Sequence, residues 1–323
     1  MFSKLNTKTL LVVLVVLLAL FAAIEYTDTS DSSYSDEVIK VDTAAVNKIV
    51  FKSNKSSFKL IKENQKWFVQ SDKNKADADK NKVKALLSRM SPLTPLRVAA
   101  NSKKQWKKFG LDKDALQVDF YNGSRLLNTL YLGKVDYQAP ATTDRQNPYS
   151  RGNQGIMIGY ARAGKNKTVY VVDGYLKMSY AGDVNGFRKK SLIDLKRDLI
   201  SHVSINSGGA TFELTKKDLK WMADNQPADS ANTAKYLNNI TRLRGYEFVT
   251  DDVIKGKKPI AGVVINQGEA HEIKIDAYPV DSVSFALVSS VNHGNIIKDK
   301  NHRLLDKLIK EKSYFINKKQ VKL

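Results

Sequence analysis

Apolar and polar residues alternate along two widely separated stretches, KIVFKSNKSSFKLIKENQKWFV from Lys48 and HVSINSGGATFELTKKDLKWMA from His202. A period of two marks strands with one face buried. Turn residues interrupt each run, Ser53 and Asn54 in the first, Ser207, Gly208 and Gly209 in the second. Each stretch therefore predicts a three-stranded antiparallel meander. Phe58, Leu60 and Trp67 precede Phe212, Leu214 and Trp221 at a constant offset of 154. Ala76–Asp77 and Ala228–Asp229 then open polar segments that lead into helices. Val83, Leu86, Leu87 and Met90 have the i, i+3, i+4, i+7 spacing of one helical face, and Thr233, Tyr236, Leu237 and Ile240 repeat it. Their offset is 150, so the second copy has lost four residues between meander and helix. Pro92 and Pro95 end the first helix.

Downstream the likeness is weaker but keeps its order. Val118 to Tyr121, the turn Asn122–Gly123 and Leu126 to Leu132 form a hairpin, matched by Val263 to Ile265, Gln267–Gly268 and His271 to Ile275. Ile156 to Tyr160 and Val169 to Val172 form another, with Val283 to Val288 and the turn Asn292 to Asn295 in the corresponding place. Helical stretches at Tyr175 to Ala181 and Asn301 to Lys312 close the halves, before Phe187 and Phe315. The pattern predicts an α+β chain of two tandem, similar modules, 41–198 and 199–323, each of antiparallel strands in meanders and hairpins with interspersed helices. The second is a degenerate copy of the first. The alternative is one continuous domain whose meanders resemble each other by chance.

The N-terminus carries a different pattern. Leu10 to Ile24 contains fifteen residues without a polar side chain, about 22 Å as a helix; Leu5 to Thr9 bring it to about 30 Å, a bilayer's hydrocarbon thickness. Lys4 and Lys8 precede it and Glu25, Asp28 and Asp31 follow. That order predicts a cytoplasmic stub and transmembrane anchor over residues 1–26, with the bulk of the chain outside the inner, cytoplasmic membrane. A cleavable signal peptide shares these features, although cuts after Ala22 or Ala23 would place Leu20 or Phe21 at the third position before the cut, where a small residue is needed. Residues 27–40, acidic and serine-rich, read as a flexible tether.

Charge and chemistry narrow the function classes. Lys and Arg number 53 against 33 Asp and Glu, a net charge of +20, with no cysteine and four histidines. Without cysteine there is no disulfide, iron–sulfur cluster or thiol nucleophile. No phosphate-binding loop, dinucleotide fingerprint or nucleophile elbow is present. His202, His271, His293 and His302 lack metal-ligand spacing. No catalytic, cofactor or metal residues are assigned, and an enzyme is not expected. The positive excess concentrates at Lys103, Lys104, Lys107 and Lys108 around Trp106, and at Arg188, Lys189 and Lys190. These are candidates for an anionic surface, with envelope polymers or lipid headgroups rather than nucleic acid as partners outside the cytoplasm; plain solubilising surface lysine is the alternative. Val135 to Gln154 lacks periodicity and reads as a long loop, with Tyr137, Arg145, Tyr149 and Arg151 as partner-binding candidates.

One series of residues is specific: Trp67; Ala76–Asp77; Leu86 and Leu87; Phe109-Gly110-Leu111-Asp112; Tyr131-Leu132-Gly133; Val169 to Val172; and Phe187-Arg188-Lys189-Lys190-Ser191-Leu192. It resembles the bacterial domain-of-unknown-function family numbered 4340, over Ile49 to Leu195 and more faintly in the second half. Phe109 stands where that family often has Tyr. The resemblance implies an N-terminal membrane segment and an envelope accessory protein encoded beside ABC transporters of the kind associated with gliding motility. It implies no active site. The expected function is thus a membrane-anchored extracytoplasmic accessory or scaffold protein of an ABC-type transport complex, acting by binding. The alternatives are a binding module for anionic envelope polymers or the membrane surface, and a cell-wall hydrolase.

Overall fold

Ile49 and Phe51 of β1 (Lys48–Lys52) share one face of their strand, and both are buried. They lie opposite Leu60 and Phe58 of β2 (Ser57–Glu63), and Leu60 in turn faces Val69 of β3 (Lys66–Ser71). The Phe51 and Phe58 rings stack with centroids 4.5 Å apart. Such cross-strand apolar pairs fix register, because a slip of one residue would turn every one of them to solvent. In the computed structural model, which describes residues 36–54, 56–72, 74–140, 155–180, 184–268 and 271–316 together with Leu14, the meander does not stand alone. β1 pairs antiparallel with β6 (Leu116–Asn122), setting Ile49 against Phe120 and Phe51 against Val118.

The remaining strands are β4 (Asn74–Asp77), β5 (Arg97–Asn101), β7 (Arg125–Gln138), β8 (Ile156–Ala163) and β9 (Thr168–Asp173). Together they make one nine-stranded sheet in the order β4-β3-β2-β1-β6-β7-β8-β9-β5. The second half supplies β10 (His202–Ser207), β11 (Ala210–Lys217), β12 (Lys220–Ala223), β13 (Gln226–Pro227) and β14 (Phe248–Val249). It continues with β15 (Ala261–Gln267), β16 (His271–Pro279), β17 (Ser284–Ser289) and β18 (Ile296–Lys300). Its sheet runs β13-β12-β11-β10-β15-β16-β17-β18-β14, the first order with every strand number raised by nine. An identical permutation of nine strands is a duplication; chance resemblance of two meanders would not extend to the crossovers.

Helices α1 (Lys80–Met90) and α3 (Ser230–Ile240) bury the faces read from the sequence, Val83, Leu86, Leu87 and Met90 in one and Thr233, Tyr236, Leu237 and Ile240 in the other. Asp79 caps α1 by accepting from the Asn81 and Lys82 N–H groups, and Asp229 caps α3 by accepting from Asn232. The equivalent pairs are therefore Ala78–Asp79 and Ala228–Asp229, not Ala76–Asp77. The backbone N–H of each capping Asp donates to the carbonyl of Phe187 or Phe315, which is why an aromatic residue closes both modules. The four missing residues come from the β3–β4 hairpin, since Val69 pairs with Ala76 while Ala223 pairs with Gln226.

The α+β expectation led by a transmembrane helix is corrected. Besides α1 and α3 the described helices are short, α2 (Tyr175–Tyr180) and α4 (Leu305–Leu308), and the modules are mainly single large antiparallel sheets. Hairpins and meander merge because β1 and β10 each serve as a partner on both edges. Among the described residues no helix is long and apolar enough to cross a membrane. The span placed over residues 5–24 lies outside them except for Leu14. The stretch 301–312, read as a helix, holds only α4 before a short 3-10 turn at Lys312–Tyr314. β7 continues through Val135 to Gln138, which the periodicity had assigned to a loop.

Each sheet carries its own apolar core. The first runs from Val38 and Ile39 to Phe187, and the second begins at Leu192 and Ile193. The Val38 N–H donates to Leu93 and the Leu192 N–H to Leu243, so residues 188–191 form the joint between two equivalent units.

Candidate functional site: a cleft on the seam between the modules

The joint is a short extended segment that pairs on both sides. Arg188 bridges antiparallel to Ala78 in the first module and Ser191 to Arg244 in the second. Against it packs the β17–β18 turn of the second module, whose Asn292 and Asn295 are buried although polar. Burial without partners would be costly, and both are satisfied. The Asn292 side-chain amide donates to the carbonyls of Lys189 and Ser191, and that of Asn295 donates to the Asp77 carbonyl and to Asn292 Oδ1. Ser289 donates to the Leu192 carbonyl at 2.6 Å.

The same turn caps an exposed edge of the first sheet. The Asp77 N–H, which points away from β3, donates to the His293 carbonyl at 2.8 Å, and the His293 N–H donates to Asp77 Oδ2 at 3.0 Å. The Asp77 carbonyl accepts from the Lys189 N–H. Gly294 makes the approach possible. Its φ is +71°, and a Cβ there would lie 2.2 Å from the Lys75 carbonyl oxygen and 2.8 Å from Ala76 Cα. Only a residue without a side chain fits both requirements.

A cleft of about 710 Å³ opens beside this seam, within the usual range for small-molecule sites. Trp67 and Lys66 from β3, Asp79, Lys80 and Asn81 at the start of α1, Lys189, Lys190 and Ser191 of the joint with Asp194 and Leu195 just beyond it, and Arg244, Gln267, Glu272 and His293 of the second module all line it. Its acids are mostly committed. Asp77 holds the seam, Asp79 caps α1, and Asp194 pairs with Lys189 at 3.3 Å; Glu272 has no ion pair or side-chain hydrogen bond among the described residues. Lys66, Lys80 and Arg244 have no ion pair or side-chain hydrogen bond among the described residues. Positive charge is therefore in excess among the groups able to meet a ligand.

The candidate residues read from the sequence fall into three groups. Arg188 and Lys189 lie in the seam: Arg188 donates to Asn295 Oδ1 and the Gly294 carbonyl and lies over the Phe248 ring, while Lys189 donates to the Val291 carbonyl. Lys190 reaches the cleft with its ammonium 5.1 Å from the Tyr246 ring centroid. Lys103, Lys104, Lys107 and Lys108 are exposed on a segment that covers the other face of the first sheet. Trp106 fastens that segment, its indole N–H donating to the Lys167 carbonyl. Its ring and that of Tyr131 both meet the buried guanidinium of Arg162, 3.7 and 3.5 Å from the centroids. Burial holds the Arg162 pKa below its ordinary value, and its hydrogen bonds go to the carbonyls of Leu111 and Gly164. Tyr137 is 60% exposed and accepts from the Gly155 N–H; Arg145, Tyr149 and Arg151 lie outside the described residues. Asp77, Asn292, Asn295 and Trp67 escaped sequence reasoning as site residues, although Trp67 was visible as half of a repeated pair.

Among the described residues no group of three or more His, Cys, Asp or Glu is placed to hold a metal ion. Fold and cleft together define a class: a tandem repeat of nine-stranded antiparallel sheets, hydrogen-bonded across a joint that leaves a polar, cationic cleft. The chain belongs to the family described as Domain of unknown function (DUF4340), whose match covers residues 67–141 and 151–259, more than half its length. No curated protein matches the chain, and no solved structure does.

Proposed function

We propose that the protein is an accessory or scaffold subunit of the bacterial cell envelope, at the cytoplasmic membrane with both modules outside, that acts by binding and without covalent chemistry. Its partner is a subunit of an ABC-type transport complex. The observation that carries the binding role is the seam. Buried Asn292 and Asn295, with the Asp77 edge contact, lock two sister sheets into one platform and leave a cleft lined by both. A fixed platform loses little conformational entropy on engaging a partner. The location rests on the apolar run from Leu10 to Ile24 and its flanking charges; the transporter partner rests on the family resemblance. Affinity purification from detergent-solubilised membranes is expected to recover a transporter subunit, and recovery of the protein alone would refute the partner. Protease treatment of spheroplasts should digest both modules; full protection would refute the location.

A second reading, a binding module for anionic envelope polymers, is favoured by the net charge of +20 and by the uncommitted cations of the cleft. It predicts binding that weakens steeply as salt is raised through physiological ionic strength, where charges are screened beyond about 8–10 Å.

A further inference from the structure

We infer that the seam cleft is a binding site for an acidic saccharide, with a sugar ring against Trp67 and its anionic groups between Lys66, Lys80 and Arg244. The inference rests on the anionic-polymer reading and gives it a place and a chemistry. Three observations lead to it. The cations come from three separate elements, β3, the first residue of α1 and the segment after α3, yet they line one cavity of about 710 Å³. None is committed to a carboxylate among the described residues, whereas three of the four acids in the cavity are held by the seam, the helix cap or Lys189. Trp67 is only partly buried. It packs against the first core and also lines the cleft.

The rest of the lining selects a polyhydroxylated ligand over an apolar one. Gln65, Asn81 and Gln267 line the cavity, and their side-chain amides have no hydrogen-bond partner among the described residues. Amides offer donor and acceptor together, which suits hydroxyl groups. A single aromatic wall suits one ring and not a stacked run of bases. The lining comes from both modules, so the site belongs to the seam and not to the repeat unit. Because both modules contribute, a bound ligand also ties them together, and it raises the stability of the joined state by mass action.

The test uses the full chain in detergent, with trigalacturonate as probe, maltotriose as the uncharged control, and oligo(dT) and a poly-Asp peptide as anions without the right ring chemistry. Calorimetry should give trigalacturonate the tightest binding. The combined variant Lys66→Gln, Lys80→Gln, Arg244→Gln should weaken it by about tenfold or more, three exposed charge contacts being of that order. Lys103→Gln, Lys104→Gln, Lys107→Gln removes the same charge from the other face and should leave affinity within about twofold. Trp67→Phe should abolish the ligand-induced change in tryptophan emission. Lys66, Lys80 and Arg244 are exposed and make no ion pair or side-chain hydrogen bond among the described residues, Lys103 lies over the Trp106 ring at 5.9 Å from its centroid, and thermal melting of each variant checks that it stays folded. Equal losses in the two triple variants would overturn the cleft while leaving non-specific attraction of anionic polymers standing. Tighter binding of oligo(dT) or poly-Asp would overturn the saccharide, and absence of binding by every anion would remove the anionic-polymer reading as well.

Discussion

Gly294 offers the sharpest test of the seam, because one added methyl group meets two separate obstacles there. At φ +71° an L-residue costs about 1–2 kcal/mol more than glycine. The Cβ would also stand 2.2 Å from the Lys75 carbonyl oxygen, a distance that no relaxation of a flexible side chain relieves, since the obstructing atom is backbone. The turn must withdraw from β4. Withdrawal breaks the Asp77 N–H bond to the His293 carbonyl, the His293 N–H bond to the Asp77 carboxylate, the Asn295 bond to the Asp77 carbonyl and the Arg188 bond to the Gly294 carbonyl. At about 1 kcal/mol net for each bond, with some recovered through water, Gly294→Ala should remove about 3–5 kcal/mol from the coupling between modules. Gly256 is the matched control, with φ +75° and nothing within 4 Å of the added Cβ. Gly256→Ala should cost only the backbone penalty. Each module has its own core, so scanning calorimetry should show one cooperative transition for the unaltered protein and for Gly256→Ala, and two resolved transitions for Gly294→Ala. A single transition for Gly294→Ala, lowered no more than in the control, would refute the claim that this turn couples the modules.

Further outcomes follow from individual side chains. Tyr236 is fully buried and donates to the Leu308 carbonyl at 2.9 Å; Tyr236→Phe orphans that carbonyl and should cost about 1–2 kcal/mol in urea unfolding at neutral pH. Burial pushes the Tyr236 pKa well above its ordinary value, so above about pH 10 the unfolded chain releases a proton that the folded one keeps. Stability should then fall as pH rises, and the alkaline unfolding of Tyr236→Phe should lack that component. The Asp224 carboxyl is held below the usual carboxylate range by its hydrogen bonds with Lys312 and the Glu213 N–H. Its contribution is present above the unfolded value of about 3.9 and is lost as pH falls through the folded one, so Asp224→Asn should destabilise more at pH 7 than at pH 2 in urea midpoints. Arg162→Lys replaces a planar group stacked on two rings by a point charge, and should accelerate hydrogen exchange at the Trp106 indole N–H, measured by NMR.

How much of this was legible depended on whether a signal was local. The meanders, both long helices and the paired aromatics at Trp67 and Trp221 were visible because period and spacing report burial directly. β5 and β14 were not. Arg97 to Asn101 has a bulge at Ala99, and Phe248–Val249 is two residues long, so neither shows a period. The merging of meander and hairpins depends on β1 meeting β6 across some seventy residues of sequence, and no local pattern encodes which strands become neighbours. The seam was hidden for a related reason. Asn292 and Asn295 look like ordinary turn residues, and only the fold brings them against Asp77, more than two hundred positions earlier. The basic run Arg188 to Lys190 read as surface charge because sequence shows charge but not what it faces.

The duplication also explains why the two halves could not remain alike. In the first module the edge residue Asp77 presents an N–H and a carbonyl to the outside of the sheet, and the second module's turn takes both. Two identical halves would leave the same open edge on the second module, ready for the turn of another copy, and a head-to-tail contact of that kind does not close. The position equivalent to Asp77 is Pro227, paired with Met222 as Asp77 is with Phe68. Proline has no N–H to offer, and it is the residue that blunts sheet edges. The shortening of the β12–β13 hairpin by four residues works in the same direction, leaving a two-residue edge where the first module has four. On this argument the divergence between the halves is concentrated where the fold requires it: one edge kept its donor to receive the sister module, and the other lost it so that assembly ends at two. The cleft is a consequence of that asymmetry, since it exists only where one module's edge meets the other's turn.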